Sequence, residues 1–587
     1  MQYVKLLPHK VMRRYLLVVV VWTLCCYAVY RFTGIESHRR YLASNVNTRQ
    51  ILQNMLETTT VPVPLQKLLE LRPLIDTSPA LSEKEVLNSM RRDVPNLPVD
   101  YWLAMKGKAT QKNKTCAKLP AVYDLKFNNI YWQVLETSNG TYNFYAAYYD
   151  NRPTLSIGPL VRIMVMIDRI KPTLKTYCQM WFSGQTAPVI MPVMEYKYVW
   201  NEKWGNFKQG IIQPYLMACQ VPASHRKLVP QAVTVVESPC NTSTVALRVI
   251  NNRPPEGQPP QDFAVCVKGL SFPDNDLSVR LVEWLETLRV LGAKKVFLYD
   301  LEVHPNISKV LRYYERQGLV EVTPLTLAGE QPNLSVLQRL YLRKKVTNKR
   351  QSELVPYNDC FYRNLYRYKY VALLDTDEVI MPTGHRDWAE LMASIAPRAD
   401  TEAKKKNKVV ASYNARNVYF FDVQDHEHTW QPDIPHYMHM LQHVKRSLNY
   451  TKPGHYIKCF HRTDRVIALH NHFPLACLGG CLSYSINTSD AQLQHYRADC
   501  VGPLRKTCEL EYKKNAVVDT SIWRFKEELI TRSTRTLVTL GFLPPEGGRL
   551  AELYESARSA HAGRAESLSA QSAPDAATEA QSEADVR

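Results

Sequence analysis

Tyr370-Val-Ala-Leu-Leu-Asp-Thr-Asp-Glu-Val-Ile-Met381 is the stretch on which the fold turns. A mostly apolar run leads straight into two aspartates one residue apart. Such a run suits a strand buried on both faces, as in a parallel sheet. At the carboxyl end of such a strand the chain meets the crevice where open α/β sheets bind ligands. Asp375 and Asp377 are then hard oxygen ligands, placed where a divalent cation bridges to a substrate phosphate. The competing reading is a helix start, because Asp and Thr cap helices and Glu favours their first turn.

The flanking pattern favours the sheet. Asn251-Asn-Arg-Pro-Pro-Glu-Gly-Gln-Pro-Pro260 reads as a linker. After it come a strand at Phe263–Val267, a helix from Leu277 to Leu291 and a strand at Lys295–Asp300. A helix at Ser308–Gln317, a strand at Leu319–Val322 and a helix at Asn358–Tyr368 lead to Tyr370–Leu374. This alternation predicts an α/β fold with right-handed crossovers and a mostly parallel sheet. Beyond the acidic pair, Val409–Asn414, Val418–Phe421, Tyr456–His461 and Val466–Leu469 read as strands; Pro435–Lys445 and Ser521–Leu540 read as helices.

Residues 116–255 differ in character. Asn129–Leu135, Tyr142–Tyr149, Val161–Ile167 and Val245–Ile250 are aromatic and β-branched, with turn residues such as Ser138-Asn-Gly140 between them. A β-rich accessory domain is expected, with its aromatics in a sandwich-like core or in sugar binding.

At the N-terminus, Lys5, Lys10, Arg13 and Arg14 precede the apolar run Tyr15–Tyr30, and Arg31 follows it. As a helix this run spans about 24 Å, and extending it to Ile35 brings it into membrane range. A cleaved signal peptide is the rival, with Cys26-x-Ala28 as a weak cleavage site. An uncleaved anchor is preferred, with residues 1–14 cytosolic by the positive-inside rule. The expected arrangement is a single-pass type II membrane protein with a transmembrane signal-anchor at 15–35, a stem at 36–115 and a lumenal remainder. Seven Asn-x-Ser/Thr sequons, at Asn113, Asn139, Asn241, Asn306, Asn333, Asn449 and Asn487, all follow the anchor. Of 13 cysteines, 11 lie beyond it, which predicts disulfides with one thiol left over. Zinc at His470-x-His472 with Cys477-x-x-x-Cys481 is the alternative, and the compartment favours a disulfide. The 559–587 tail is Ala/Ser/Glu-rich and reads as disordered. The formal charge of +19 comes from scattered Lys and Arg, so an anionic small substrate is expected and nucleic acid is not.

An anchor, a stem and an acidic pair at a strand end point to a Golgi glycosyltransferase. Sugar transfer from a nucleoside diphosphate builds charge on the leaving group, which a carboxylate-held metal stabilises. A further metal ligand is sought among His470, His472 and His495, with His472 preferred. Arg446, Lys458 and Arg462 are candidate phosphate ligands or plain surface cations. Asp300 ends an earlier strand on the same edge and is positioned either to meet a uridine or to cap a turn. For the base that deprotonates the acceptor hydroxyl, Asp425, Glu427 and Asp433 are the candidates.

The sequence also resembles glycosyltransferase family 92, first described as a domain of unknown function, over about Val265–Asp519. The resemblance rests on Cys266-Val-Lys-Gly, Glu283-Trp with Leu291-Gly-Ala, Phe297-Leu-Tyr-Asp300 and Asn358-Asp-Cys-Phe-Tyr-Arg363. It continues through Leu374-Asp-Thr-Asp-Glu378, Lys458-Cys, His470-Asn-His472 and His495-Tyr-Arg497. It implies a GT-A catalytic domain, here residues 262–545, and transfer of galactose from UDP-galactose, dependent on Mn2+ or another divalent cation. The implied reaction is inverting and β1,4-linked, onto galactose or fucose of N-glycans or related glycoconjugates. Where members commonly carry Phe after Asp-x-Asp-Glu, this chain has Val379. A terminal β-galactose is the preferred acceptor and core fucose the second. A non-catalytic, membrane-tethered lectin is the rival from another class.

Overall fold

The protein is described by a computed structural model, which places residues 80–106, 116–422, 430–500 and 505–546. The expected anchor and tail, and most of the stem, fall outside these residues. Among the described residues no helix is long and apolar enough to cross a membrane.

Helices α1 (Glu83–Asp93) and α2 (Val99–Met105) lead into nine strands: β1 (Phe127–Asn129), β2 (Trp132–Thr137), β3 (Gly140–Asp150), β4 (Leu160–Ile167) and β5 (Tyr177–Trp181), then β6 (Val189–Tyr198), β7 (Gln213–Gln220), β8 (Ala232–Val236) and β9 (Leu247–Ile250). Their order is β1-β2-β3-β4-β7-β6-β5-β8-β9, and β9 returns to pair with β3. The return closes β3 to β9 into a barrel, the arrangement that removes exposed strand edges. The β3–β9 pairing is parallel, whereas the other pairings of this region are antiparallel. Of its aromatic residues, Trp132, Tyr142, Phe144, Tyr145, Tyr148 and Tyr149 are buried, whereas Phe127 of β1 is exposed.

The second sheet follows the alternation read from the sequence. Its elements are β10 (Gln261–Phe272), α3 (Ser278–Val290), β11 (Lys295–Val303), α4 (Pro305–Arg316) and β12 (Val320–Pro324). Then come α5 (Ser335–Lys344), α6 (Val346–Ser352), α7 (Leu354–Arg363), β13 (Tyr368–Leu373), β14 (Glu378–Pro382), α8 (Trp388–Lys405), β15 (Val410–Ala415) and β16 (Asn417–Phe421). The chain continues with α9 (His439–Gln442), β17 (Lys445–Ser447), β18 (Lys458–Arg462), β19 (Val466–Leu469) and β20 (Pro474–Cys477). It finishes with β21 (Leu482–Ser485), β22 (Ala491–Arg497), β23 (Ala516–Val518) and α10 (Lys526–Thr539). The large sheet runs β12-β11-β10-β13-β18-β15-β21. It is parallel from β12 to β13 and again at β15–β21, and antiparallel where β18 sits between β13 and β15. A smaller sheet, β14-β22-β16-β17-β23, leans beside it.

The central strand explains the layering. In β10, Phe263, Val265 and Val267 join one apolar cluster with Leu281, Trp284, Leu285, Ile307 and Trp388 of the helical layer. The alternate residues Ala264 and Cys266 join another, with Phe361 of α7 and the barrel residues Trp132, Tyr145 and Tyr148. A strand buried on both faces must be apolar throughout, as its sequence is. The barrel therefore forms one of the two covers of the sheet. A disulfide between Cys266 and Cys360 ties β10 to α7 within that cover.

Among the described residues five disulfides form, Cys116–Cys240, Cys178–Cys219, Cys266–Cys360, Cys477–Cys481 and Cys500–Cys508. Cys459 is left as a buried thiol. The Cys477–Cys481 bridge takes both sulfurs that a zinc site there would need. Two elements differ from expectation: Pro435–Lys445 holds only the short α9, because Lys445 already enters β17 and pairs with Val518, and the helix expected at Asn358–Tyr368 runs instead over Leu354–Arg363, with Tyr368 already in β13.

Candidate active site

Asp375 and Asp377 occupy a tight turn that carries the chain from β13 in the large sheet to β14 in the small one. No helix starts there, so the capping alternative falls. Glu378 closes the turn itself. Its backbone N–H donates to the Asp375 carbonyl at 3.0 Å, and its Oε2 accepts from the Asp375 N–H at 3.0 Å. Trp284 of α3 donates from Nε1 to the Glu378 carbonyl at 2.9 Å, anchoring the start of β14.

Two lysines face these carboxylates, Lys268 partly exposed and Lys458 buried. Lys268 Nζ lies 3.0 Å from Asp375 Oδ1 and 3.7 Å from Glu353. It stands where the β10–β11 register shifts between Cys266 and Gly269, a bulge of the kind that re-aims a side chain. Lys458, fully buried at the start of β18, lies 3.1 Å from Glu378 and 3.5 Å from Asp375, and donates to Asn471 at 2.5 Å. Tyr357 of α7 donates to Asn471 at 2.9 Å and to Asp375 at 3.4 Å. Burial works against the charge on Asp375, but Lys268 and Lys458 outweigh it and hold the carboxyl well below the usual range. Burial dominates at Glu378 and raises its carboxyl.

Asp377 is different. Its side chain is 50% exposed, against 17% for Asp375. Its partner is His495 of β22, with Nε2 3.5 Å away, and the other ring nitrogen of His495 lies 3.5 Å from Glu378. Burial pushes His495 down, yet Asp377 and Glu378 outweigh it and raise its pKa. Asp375, Thr376 and Asp377 open into a cleft of about 440 Å3 whose wall includes Lys268, Arg280, Lys349, Tyr496 and Arg497. Asp377 is the carboxylate of this turn left open to the cleft. Its hard oxygen donors suit Mn2+ or Mg2+.

The other candidates fall in several places. His472 makes no ion pair with either aspartate among the described residues; its Nδ1 donates to the Ile457 carbonyl at 2.9 Å. Burial and Lys458 push it down to about 4, so the ring is neutral. Its neighbour His470 packs on Trp204 with ring centroids 4.5 Å apart. In His470-Asn-His472 it is the middle residue, Asn471, that reaches the charged network. Lys458 is a buried counter-charge to Asp375 and Glu378, with no exposed surface for a phosphate. Arg446 is taken by Asp519 at 2.8 Å and stacks on Tyr450, and Arg462 is held by Asp464 at 2.9 Å. Asp300 is partly buried, with a carboxylate oxygen that has no hydrogen-bond partner, and burial raises its pKa. Asp433 pairs with Lys526 at 2.5 Å. Asp425 and Glu427 lie outside the described residues.

Reading by residue type missed Lys268, Tyr357, Glu378 and Asn471 as members of the network. Their signal was present only as motif neighbours of the residues that were chosen. In Glu283-Trp284, Trp284 holds β14, and Glu283 accepts from the backbone N–H groups of Met440 and Leu441 at 2.9 and 3.0 Å.

The family model described as Glycosyltransferase family 92 matches residues 261–533, from β10 into α10. No curated protein matches. Among solved structures, S. aureus TarS 1-349 is similar at 10% identity with a TM-score of 0.19, over 47% of this chain and 66% of that one. The same protein in complex with UDP gives 10% identity and a TM-score of 0.21 over the same shares. The apo structure of the bifunctional glycosyltransferase WbbM gives 10% identity and a TM-score of 0.16, over 37% of this chain and 28% of that one. The chain thus spans 66% of the first two structures, and TM-scores this low add no weight to the assignment. Residues 261–533, which carry the acidic turn, its lysines and His495, match glycosyltransferase family 92.

Proposed function

We propose that this glycosyltransferase is a metal-dependent, inverting β1,4-galactosyltransferase, moving galactose from UDP-galactose onto a terminal β-galactose of N-glycans or other glycoconjugates. The observation that carries the reading is the half-exposed Asp377, facing a cleft that also presents Lys268, Lys349 and Arg497. Asp377 would hold the ion, with Asp375 beside it and His495, rather than His472, as the adjacent imidazole. When bound, the ion neutralises charge on the departing diphosphate. Lys268 and Arg497 offer further positive charge to the same oxygens. Asp300, with its unpartnered carboxylate oxygen, suits the donors of a uridine. Galactose as the donor sugar and the β1,4 linkage rest on the family resemblance. Core fucose is the second acceptor. The buried aromatics of the barrel leave little for the lectin reading.

The acceptor hydroxyl loses its proton to a carboxylate, for which Asp425, Glu427 and Asp433 are the candidates. We place the protein in the Golgi membrane, anchored by residues 15–35 with the catalytic part lumenal. Five disulfides support an oxidising compartment, as do the exposed sequon residues Asn139, Asn241, Asn333, Asn449 and Asn487. The test is a panel of UDP-sugars with Mn2+ and defined glycans, given to the purified full chain. Transfer from UDP-galactose to galactose-terminated glycans is expected. Neither transfer nor hydrolysis from any UDP-sugar would sink the enzyme reading, and transfer to core fucose alone would reassign the acceptor.

A further inference from the structure

A second group of ligating side chains converges beyond the acidic turn. Asp422 directly follows β16, His439 begins α9 and His443 follows its end. One ligand atom from each lies within 4.8 Å of the others. Asp422 Oδ1 is 2.8 Å from His439 Nε2, and the two imidazole centroids are 4.2 Å apart. Histidines four residues apart share one face of a helical turn.

Their surroundings orient them. His443 Nδ1 lies 2.7 Å from the His439 carbonyl oxygen. A carbonyl only accepts, so Nδ1 carries the proton and Nε2 keeps its lone pair. Outer contacts of this kind select the nitrogen that binds a metal. The other oxygen of Asp422 accepts from Arg280 at 3.0 Å. Behind α9, buried Glu283 receives the Met440 and Leu441 N–H groups and fixes the short helix on the core. The Asp422 and His439 side chains are only 19% and 10% exposed.

We propose that Asp422, His439 and His443 form a second metal site, separate from the Asp375–Asp377 turn, that takes a transition metal of the Zn2+ class. Two imidazoles and one carboxylate are borderline donors, which suit Zn2+ better than Mn2+ or Mg2+. Three protein ligands leave one position for water. The ion replaces the proton between Asp422 and His439, and His439 keeps its remaining proton on Nδ1. It joins β16 to α9, the two ends of segment 423–438. Arg280, which touches Asp422 and also lines the donor cleft, links the sites.

The test uses the purified full chain, stripped by a chelator and reloaded with Zn2+ or, as a spectroscopic probe, Co2+. The Asp375→Ala/Asp377→Ala variant should still take up a single equivalent of Zn2+ and show the visible bands of imidazole-bound Co2+. His439→Gln/His443→Gln should lose both while its circular dichroism matches the stripped wild type. Arg280→Gln should weaken Zn2+ binding about tenfold. Zn2+ uptake unchanged by the double histidine substitution would overturn the proposal, as would a wild-type chain that takes up none. Should the histidine variant fail to fold, Asp422→Asn carries the same comparison. A chain inactive on every UDP-sugar that still loads Zn2+ at these histidines would sink the transferase reading and leave this site standing.

Discussion

Two buried charge clusters, one in the barrel and one at the acidic turn, show how similar parts serve different ends. In the barrel, Asp150 is fully buried and pairs with Arg152 at 2.7 Å and Arg162 at 3.0 Å. Arg152 also donates to the carbonyls of Thr463 and Val466, so this knot ties the barrel to β19. One carboxylate between two guanidinium groups, with its bonds filled inside the protein, has nothing left for a ligand. At the turn, three carboxylates meet two ammonium groups and one histidine, and Asp377 is half-exposed to a cleft. Saturation marks a structural knot, and incomplete saturation on a cleft marks a site.

Substitution separates the two. Asp375→Asn combines both effects, because it leaves Lys268 and Lys458 with less compensation and damages the site. A loss of about 3 kcal/mol is expected from buried ion pairs broken on one side. Transfer should also fall roughly 100-fold or more, as when a charge-stabilising group is removed. Thermal melting and initial rates check this, and a variant that melts normally and turns over normally would undo the network as drawn.

Asp150→Asn should cost about 3–5 kcal/mol of stability with kcat/KM of the remaining folded protein unchanged. Its carboxyl feels burial first, but the two arginines outweigh burial and hold it below its ordinary value. The stabilisation is therefore complete above the unfolded value near pH 4 and is lost as pH falls through the lower folded value. Acid-unfolding curves should lose that component in the variant. A loss of turnover with intact stability would place the barrel in catalysis and blur the contrast.

At the small end stands Asp433, an exposed residue whose pair with Lys526 should contribute about 1 kcal/mol or less. Asp433→Asn should leave melting and transfer nearly unchanged. Abolished transfer with full donor hydrolysis would instead make Asp433 the acceptor's base.

Much of the large sheet was legible because both-face burial writes itself as apolar runs, as at Tyr370–Leu374, and because α3 carries a helical period. The position of the acidic pair at a strand end was legible because the apolar run leads straight into it, although the same residues also suit a helix cap. Closure of the barrel was not, since it depends on Ala147 and Tyr148 meeting Val249 and Ile250 a hundred residues later. The choice between His472 and His495 was equally hidden. Strand register sets His495 opposite Glu378, and nothing in the local sequence reports it. Lys268 acquired its place from a bulge, and Lys458 from an antiparallel strand inserted between β13 and β15.

The most direct measurement is calorimetric titration of UDP into the wild-type chain and Asp377→Asn, each with and without Mn2+. Saturable binding that needs the ion in the wild type, weakened at least about tenfold in the variant, is the predicted result. Wild-type protein that ignores UDP in both conditions, or a variant that binds it as the wild type does, would contradict the assignment of the Asp375–Asp377 turn as the donor site.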